Sequence, residues 1–173
     1  MQSPSKNKHK GLIVAGMHSS GGKTAVTSLL LAALQKRKFI VQPFKIGPDY
    51  IDPGFHFHYS AKHSINLDPW IMGREHILKA AKKFTENAFG IAEGVMGLFD
   101  GSDPTNDSGS TMEVGRWLRW PILLVVPCQN SGRSITAAIQ GFVAEAGGPE
   151  HFAGIILNQV NSCLLYTSPS PRD

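Results

Sequence analysis

The sequence predicts an α/β domain, a mostly parallel sheet with helices on both faces, and three observations carry that prediction. Short apolar runs alternate along the chain with segments of helical periodicity. The run Pro121-Ile-Leu-Leu-Val-Val126 is apolar without interruption, as a strand buried on both sides must be. Near the start, Gly11-Leu-Ile-Val-Ala-Gly-Met-His-Ser-Ser-Gly-Gly-Lys-Thr24 joins an apolar run to a helix through a glycine-bearing loop. A length of 173 residues suits one such domain.

In chain order, residues 12–15 form the first strand, ended by Gly16, and the first helix runs from Lys23 through Leu34. Residues 38–44 are the second strand. The next 25 or so residues show no periodicity, and structural connections are seldom that long, so a functional loop is expected there. Residues 74–84 make a helix with Ile77, Leu78, Ala81 and Phe84 on one face, and residues 89–93 the third strand. A helix over 111–119 precedes the strand at 121–126. A last helix over 133–146 is ended by Gly147-Gly148-Pro149, and residues 153–158 close a five-stranded sheet.

The loop after the first strand carries chemistry. Residues 19–24 can turn backbone N–H groups toward one point, where the helix N-terminus adds partial positive charge and Lys23 a full one. A triphosphate fits that point best. Ser19, Ser20, Gly21, Gly22, Lys23 and Thr24 are therefore the expected ATP-binding residues, and the Thr24 hydroxyl faces the magnesium that bridges the phosphates. The fold expected is thus of P-loop NTPase type. Gly16 lies seven residues before Lys23, one more than in the common G-x-x-x-x-G-K-[ST] spelling, which marks a different subclass.

Open α/β sheets bind ligands beyond the C-terminal ends of their strands. After the second strand stand Lys45, placed to stabilise charge on a transferred phosphoryl group, and Asp49 and Asp52, each beside a proline. One of these carboxylates can hold magnesium and the other position substrate; both can equally be turn caps. At the tip of the third strand, Glu93 is the expected magnesium carboxylate, and Asp100 is either a second ligand organiser or a turn residue. With the first strand beside the third, Thr24 and Glu93 share one ion. His56, His58 and His63 alternate with aromatics and lack cysteine partners, so they read as surface or substrate-pocket histidines rather than a metal site. Cys128 lacks a His/Asp relay, and Cys128 and Cys163 are too far apart for a zinc motif or a disulfide framework; both are expected to be reduced.

The formal charge of +4 is modest and owes much to Lys6, Lys8 and Lys10, so nucleic-acid binding is not expected. No apolar run approaches the length of a membrane span and residues 1–10 lack a signal peptide's apolar stretch, so a cytoplasmic protein with a disordered basic leader is expected. A homodimer is among the assemblies left open.

Phe44-Lys-Ile-Gly-Pro-Asp-Tyr-Ile-Asp-Pro-Gly-Phe-His56 with Asn66-Leu-Asp68, and Glu93-Gly-Val-Met-Gly-Leu-Phe-Asp-Gly101, closely resemble the motifs of the cobyrinic acid a,c-diamide synthase family. The likeness covers residues 11–162, and the displaced Gly16 is similar to that family and its dethiobiotin synthetase relatives. The resemblance implies an ATP- and magnesium-dependent ligase domain, normally followed by a glutamine amidotransferase domain that releases ammonia. The domain would activate the a and c acetate carboxylates of a corrin precursor. It implies that Thr24, Asp49 and Glu93 hold magnesium, that Tyr50, Ile51 and Asp52 border the tetrapyrrole, and that Asn158 meets adenine, although Asn158 can equally cap its strand. Residues 163–173 depart from the family pattern and read as a non-native tail. The amidotransferase domain is absent from this sequence, so no glutamine-dependent activity is expected of it alone. Nickel-sirohydrochlorin a,c-diamide synthases and cobyric acid synthases would carry similar loops. A partner-regulating ATPase switch shares the fold, but such proteins place a lysine where His18 stands.

Overall fold

The computed structural model describes residues 10–49, 51–129 and 131–160. Among the described residues six strands form one sheet: β1 (Gly11–Gly16), β2 (Val41–Ile46), β3 (Ile65–Leu67), β4 (Phe89–Glu93), β5 (Ile122–Pro127) and β6 (Phe152–Asn158). All pairings are parallel, in the order β3-β2-β4-β1-β5-β6. The expected neighbourhood is present: β1 lies between β4 and β5, with Val14 opposite Glu93 and Leu123.

Five helices among the described residues cover the two faces: α1 (Lys23–Lys36), α2 (Asp52–Ser60), α3 (Pro69–Phe84), α4 (Thr111–Leu118) and α5 (Ile135–Glu145). Side chains alternate across each strand, so the sheet has two cores. On one face Ile13, Phe44, Ile46, Leu67 and Leu124 pack with Ile77 of α3 and Met112 of α4, and with the half-buried Ile139 and Phe142 of α5. On the other, Val14, Val41, Ile91 and Val125 meet Leu31 of α1. Trp120 closes the first core by lying over Gly11 and Gly90, where a Cβ would come within 2.5 and 2.2 Å of its ring, and it meets Phe44 edge-on at 5.7 Å. Those two strand glycines exist because the indole occupies the space of their side chains.

Two elements correct the sequence reading, and both lie in the stretch expected to be loop. Strand β3 is the sixth strand; three residues are too few for a period to show, and pairing with Phe44, Lys45 and Ile46 of β2 makes the segment a strand. Helix α2 is the second. Its sequence, Asp-Pro-Gly-Phe-His-Phe-His-Tyr-Ser, is poor in helix formers, yet Pro53 fits the first turn and Asp49 caps the entry, its Oδ1 accepting from the N–H of Ile51 at 2.8 Å and Asp52 at 3.3 Å.

Helix α3 begins earlier than expected. Asp68 accepts from Trp70 N and Ile71 N to cap a first turn, Gly73 at φ 67° interrupts it, and the helix expected from residue 74 follows. Ile77 and Ala81 are buried as predicted, but Leu78 is 36% exposed at the margin of the face. Ser110 and Glu113 cap α4 together: Ser110 Oγ accepts from Glu113 N, and Glu113 accepts from Gly109 N. Strand β2 starts at Val41 rather than residue 38, because Lys38 adopts φ 62° and leads into an exposed Phe39-Ile40 link.

Candidate functional site

The C-terminal ends of β1, β2 and β4 open into one cleft of about 340 Å³. The loop from β1 supplies its floor. Gly22 caps α1 at φ 97°, a conformation other residues resist, and the preceding Ser20 is also left-handed at φ 61°. Gly16, at the end of β1, leaves room for the first residue of α1: a Cβ there would meet Lys23 Cγ and Cδ and the His18 carbonyl at 3.1 Å. The displaced glycine therefore makes room for the lysine stem. Lys23 Nζ donates back to His18 O at 3.1 Å, closing the loop on itself. Burial, and then the neighbouring Lys45, hold the Lys23 ammonium below its ordinary range.

Glu93 is the electrostatic centre. Its carboxylate is fully buried, and its two oxygens have separate partners. Oε1 accepts from Thr24 Oγ1 at 2.7 Å and from Lys45 Nζ at 3.2 Å; Oε2 accepts from His56 Nε2 at 2.7 Å. Burial pushes this carboxyl up, but His56, Lys45 and Thr24 outweigh it and bring it down to about 2. Lys45 is opposite Glu93 in the β2/β4 register, which puts both side chains on one face. Its ammonium also contacts Asp52 Oδ2 at 2.5 Å and Asp49 Oδ2 at 3.2 Å. Burial pulls Lys45 down, yet Glu93 first and then Asp52 and Asp49 raise it, so it is a firm cation. The two aspartates diverge: Asp49 is held at about 2 by the Ile51 and Asp52 amides and by Lys45 against a burial cost, whereas burial and the Glu93 charge lift Asp52 in spite of Lys45.

Ser19, Ser20, Gly22, Lys23, Thr24, Lys45, Asp49, Asp52 and Glu93, all singled out by sequence, line this cleft, joined by Gly94, Val95 and Met96. Asn158, at the end of β6, reaches the phosphate loop from behind and donates from Nδ2 to Gly21 O at 3.0 Å, so it braces the loop backbone. Asp100 accepts from Gly97 N at 2.7 Å and closes its own turn. Ile51 is 76% exposed beside the cleft mouth, and Tyr50 lies outside the described residues, as do residues 1–9 and 163–173.

The residue missed by sequence reasoning is His56. It is neither a surface nor a substrate-pocket histidine but is wholly buried between Glu93 and Ser64. Of its neighbours in sequence, His63 stacks on Phe57 at 4.6 Å and His58 meets Tyr59 edge-on. The only local signal for His56 was its helical offset from the Lys45-Asp49-Asp52 segment, which α2 had to be recognised to use. Cys128 is buried at the end of β5, and burial raises its thiol, which suits an inert side chain.

The donor chemistry fits a nucleotide-bridging magnesium ion. Thr24 Oγ1 and the Glu93 and Asp49 carboxylates are hard oxygen donors, and magnesium is usually held by one or two carboxylates together with substrate phosphates and water. Among the described residues no group of three His, Cys, Asp or Glu side chains could hold an ion alone, so these donors would hold one only together with phosphate oxygens or water.

A phosphate loop between strand and helix, a strand-tip carboxylate 2.7 Å from its threonine and a parallel sheet define a P-loop nucleotide-binding domain. The family model described as the CobQ/CobB/MinD/ParA nucleotide binding domain matches residues 12–168, and the chain belongs to that family. Among curated relatives, the cobyrinate a,c-diamide synthase of Syntrophotalea carbinolica is 44% identical over 152 residues, 87% of this chain and 33% of the relative. That of Picrophilus torridus is 40% identical over 156 residues, 90% of this chain and 35% of its own. The hydrogenobyrinate a,c-diamide synthase of Rhodobacter capsulatus is 43% identical over 155 residues, 88% and 35% of the two chains. The likeness read from the motifs thus recurs along most of the chain, which spans about a third of the length of the curated relatives it matches. Among the described residues no helix is long and apolar enough to cross a membrane.

Proposed function

We propose that this chain is the ATP-dependent half of a ligase that amidates the a and c side-chain carboxylates of cobyrinic acid or its cobalt-free counterpart in cobalamin biosynthesis. A carboxylate resists attack by ammonia because its leaving group would be oxide. Transfer of the γ-phosphoryl group of ATP to the carboxylate gives an acyl phosphate, whose phosphate leaves readily when ammonia attacks. In the whole protein that ammonia would come from glutamine, hydrolysed by a C-terminal amidotransferase domain.

Each residue then has a role. The amides of residues 19–24 and Lys23 hold the phosphates. Thr24, Glu93 and Asp49 hold magnesium, which when bound neutralises charge on the β- and γ-phosphates. Lys45, kept protonated by three carboxylates, stabilises the migrating phosphoryl group. Asp52, Tyr50, Ile51 and Asp100 border the macrocycle, and Asn158 either meets adenine or fixes the loop that holds its phosphates. Exposed apolar side chains at the same end of the sheet, Ile51, Phe55, Trp70 and Met96, offer the surface that a flat tetrapyrrole needs.

The observation that carries this reading is the convergence of Thr24 Oγ1 and Lys45 Nζ on one oxygen of Glu93. It brings the magnesium-facing end of a phosphate loop next to a buried cation, as phosphoryl transfer requires. The experiment is ATP turnover with magnesium and ammonia, with and without cobyrinic or hydrogenobyrinic acid, on the wild type and on Asp49→Ala, repeated with the C-terminal domain added back. Turnover that depends on the macrocycle and is lost in the variant is expected; turnover indifferent to both macrocycles, or ATP-driven dimerisation without them, would favour the ATPase-switch class instead.

A further inference from the structure

We infer that His56 is a positioning residue that fixes the rotation of the Glu93 carboxylate and so presents its Oε1 to the metal and to Lys45. The inference rests on the proposed reading of the cleft and assigns to that site a residue outside its lining. A glutamate carboxylate turns about a soft, broad final torsion, so burial alone does not decide which oxygen faces the cleft. Here Oε2 points away from the phosphate loop and accepts from His56 Nε2 at 2.7 Å, leaving Oε1 to Thr24 and Lys45.

The imidazole is itself held from the other side. His56 Nδ1 lies 3.1 Å from Ser64 Oγ, in the short link between α2 and β3. An ionised carboxylate only accepts, so Nε2 carries the donated hydrogen; the Ser64 hydroxyl, able to donate or accept, meets Nδ1 on the other side. The His56 carbonyl accepts from Ser60 Oγ at 2.7 Å, which secures the helix turn that carries the ring. The ring is fully buried and does not line the cleft; it meets the site through Glu93. Its reach is through Glu93, like that of outer-shell partners whose loss typically weakens metal affinity about 10- to 100-fold.

The test compares His56→Gln, whose side-chain amide can place an N–H near the position of Nε2, with His56→Asn, whose amide falls short of Glu93. Manganese, substituting for magnesium, is titrated into the protein with a non-hydrolysable ATP analogue and followed by electron paramagnetic resonance, alongside thermal melting. The expected result is a manganese affinity about 10- to 100-fold weaker in His56→Asn and restored to within a few-fold of wild type in His56→Gln. Equal melting losses without a difference in manganese affinity would mean a structural histidine and overturn the inference, as would wild-type affinity in His56→Asn. If His56→Asn does not fold, Ser64→Ala carries the same comparison: a several-fold loss supports the inference and an unchanged affinity refutes it. A wild type that binds no metal–nucleotide complex would defeat the reading of the cleft itself, and this inference with it.

Discussion

Replacing Lys45 by methionine removes the ammonium that Asp49, Asp52 and Glu93 share while keeping a flexible stem of similar volume. Lys45 is 2% exposed and Glu93 fully buried, so water cannot take over the lost contacts. Breaking a buried pair by removing one partner costs about 3–5 kcal/mol, because the other charge stays buried without compensation. For a domain of this size that is a fall in melting temperature on the order of 10 °C. The pH dependence separates this cause from lost packing. In the wild type, Glu93 is held below its ordinary 4.5, so its contribution is present above that value and declines as pH falls toward about 2. Without Lys45, the Glu93 and Asp52 carboxyls both lose a charge that holds them down, so in the variant both protonate at a higher pH in the folded state than they do in the wild type. The deficit of the variant must therefore be largest at neutral pH and narrow as pH falls through the acidic range in which its carboxyls protonate before those of the wild type. Denaturant unfolding at pH 7.5 and pH 3.5 reads both quantities. A loss below about 1 kcal/mol, or a loss equal at the two pH values, would refute the electrostatic account. Adding Glu93→Gln to Lys45→Met should recover part of the loss, since the two side chains touch and their substitutions cannot be additive.

Glu93→Gln alone should flatten the acid limb of stability, removing about 3 kcal/mol of dependence between pH 4.5 and pH 2; denaturation across that range checks it, and an unchanged acid limb would contradict the low Glu93 value. Gly22→Ala would put a methyl group in a left-handed position and 2.0 Å from Asn158 Nδ2. Nucleotide affinity, measured by calorimetry, should fall at least about tenfold, and adding Asn158→Ala should restore part of it because the clash is with that side chain. Gly90→Ala would drive a methyl group to 2.2 Å from Trp120, and overpacking of this kind costs about 1–3 kcal/mol; a loss under 0.5 kcal/mol, read by denaturation, would mean that the indole moves freely.

The phosphate loop and Glu93 were legible because each is a local pattern: apolar run, glycines, Lys-Thr and helix in one stretch, and a carboxylate at the end of an apolar run in another. Their contact at 2.7 Å followed once the two strands were set side by side. The stretch between β2 and α3 was opaque for the opposite reason. Strand β3 exists by pairing with β2 rather than by its own period, and α2 exists by an Asp49 cap and a proline against weak intrinsic propensity. His56 could not be read without both, because only a helix starting at Asp52 turns its ring toward Glu93, 37 positions further along the chain. Asn158 offered two readings that no local pattern separates, and its bond to Gly21 spans 137 positions.

The excursion that hid these elements also builds the site. From β1 the chain passes over the place of β4 to make β2, α2 and β3 on the far side, then returns to insert β4 between β2 and β1. Had β4 followed β1 directly to an outer edge, Glu93 would have one strand neighbour. Inserted, it has Val14 on one side and Lys45 on the other in register, two residues from the start of the phosphate loop and directly opposite the cation. The same insertion brings α2 back against β2, close enough for His56 to reach the Glu93 oxygen that the phosphate loop does not use. A carboxylate at the tip of an inner strand is thereby desolvated, and a desolvated carboxylate stays ionised only where donors surround it. Thr24, Lys45 and His56 come from three separate segments, so the ionisation of Glu93 reports that α1, β2 and α2 have all docked.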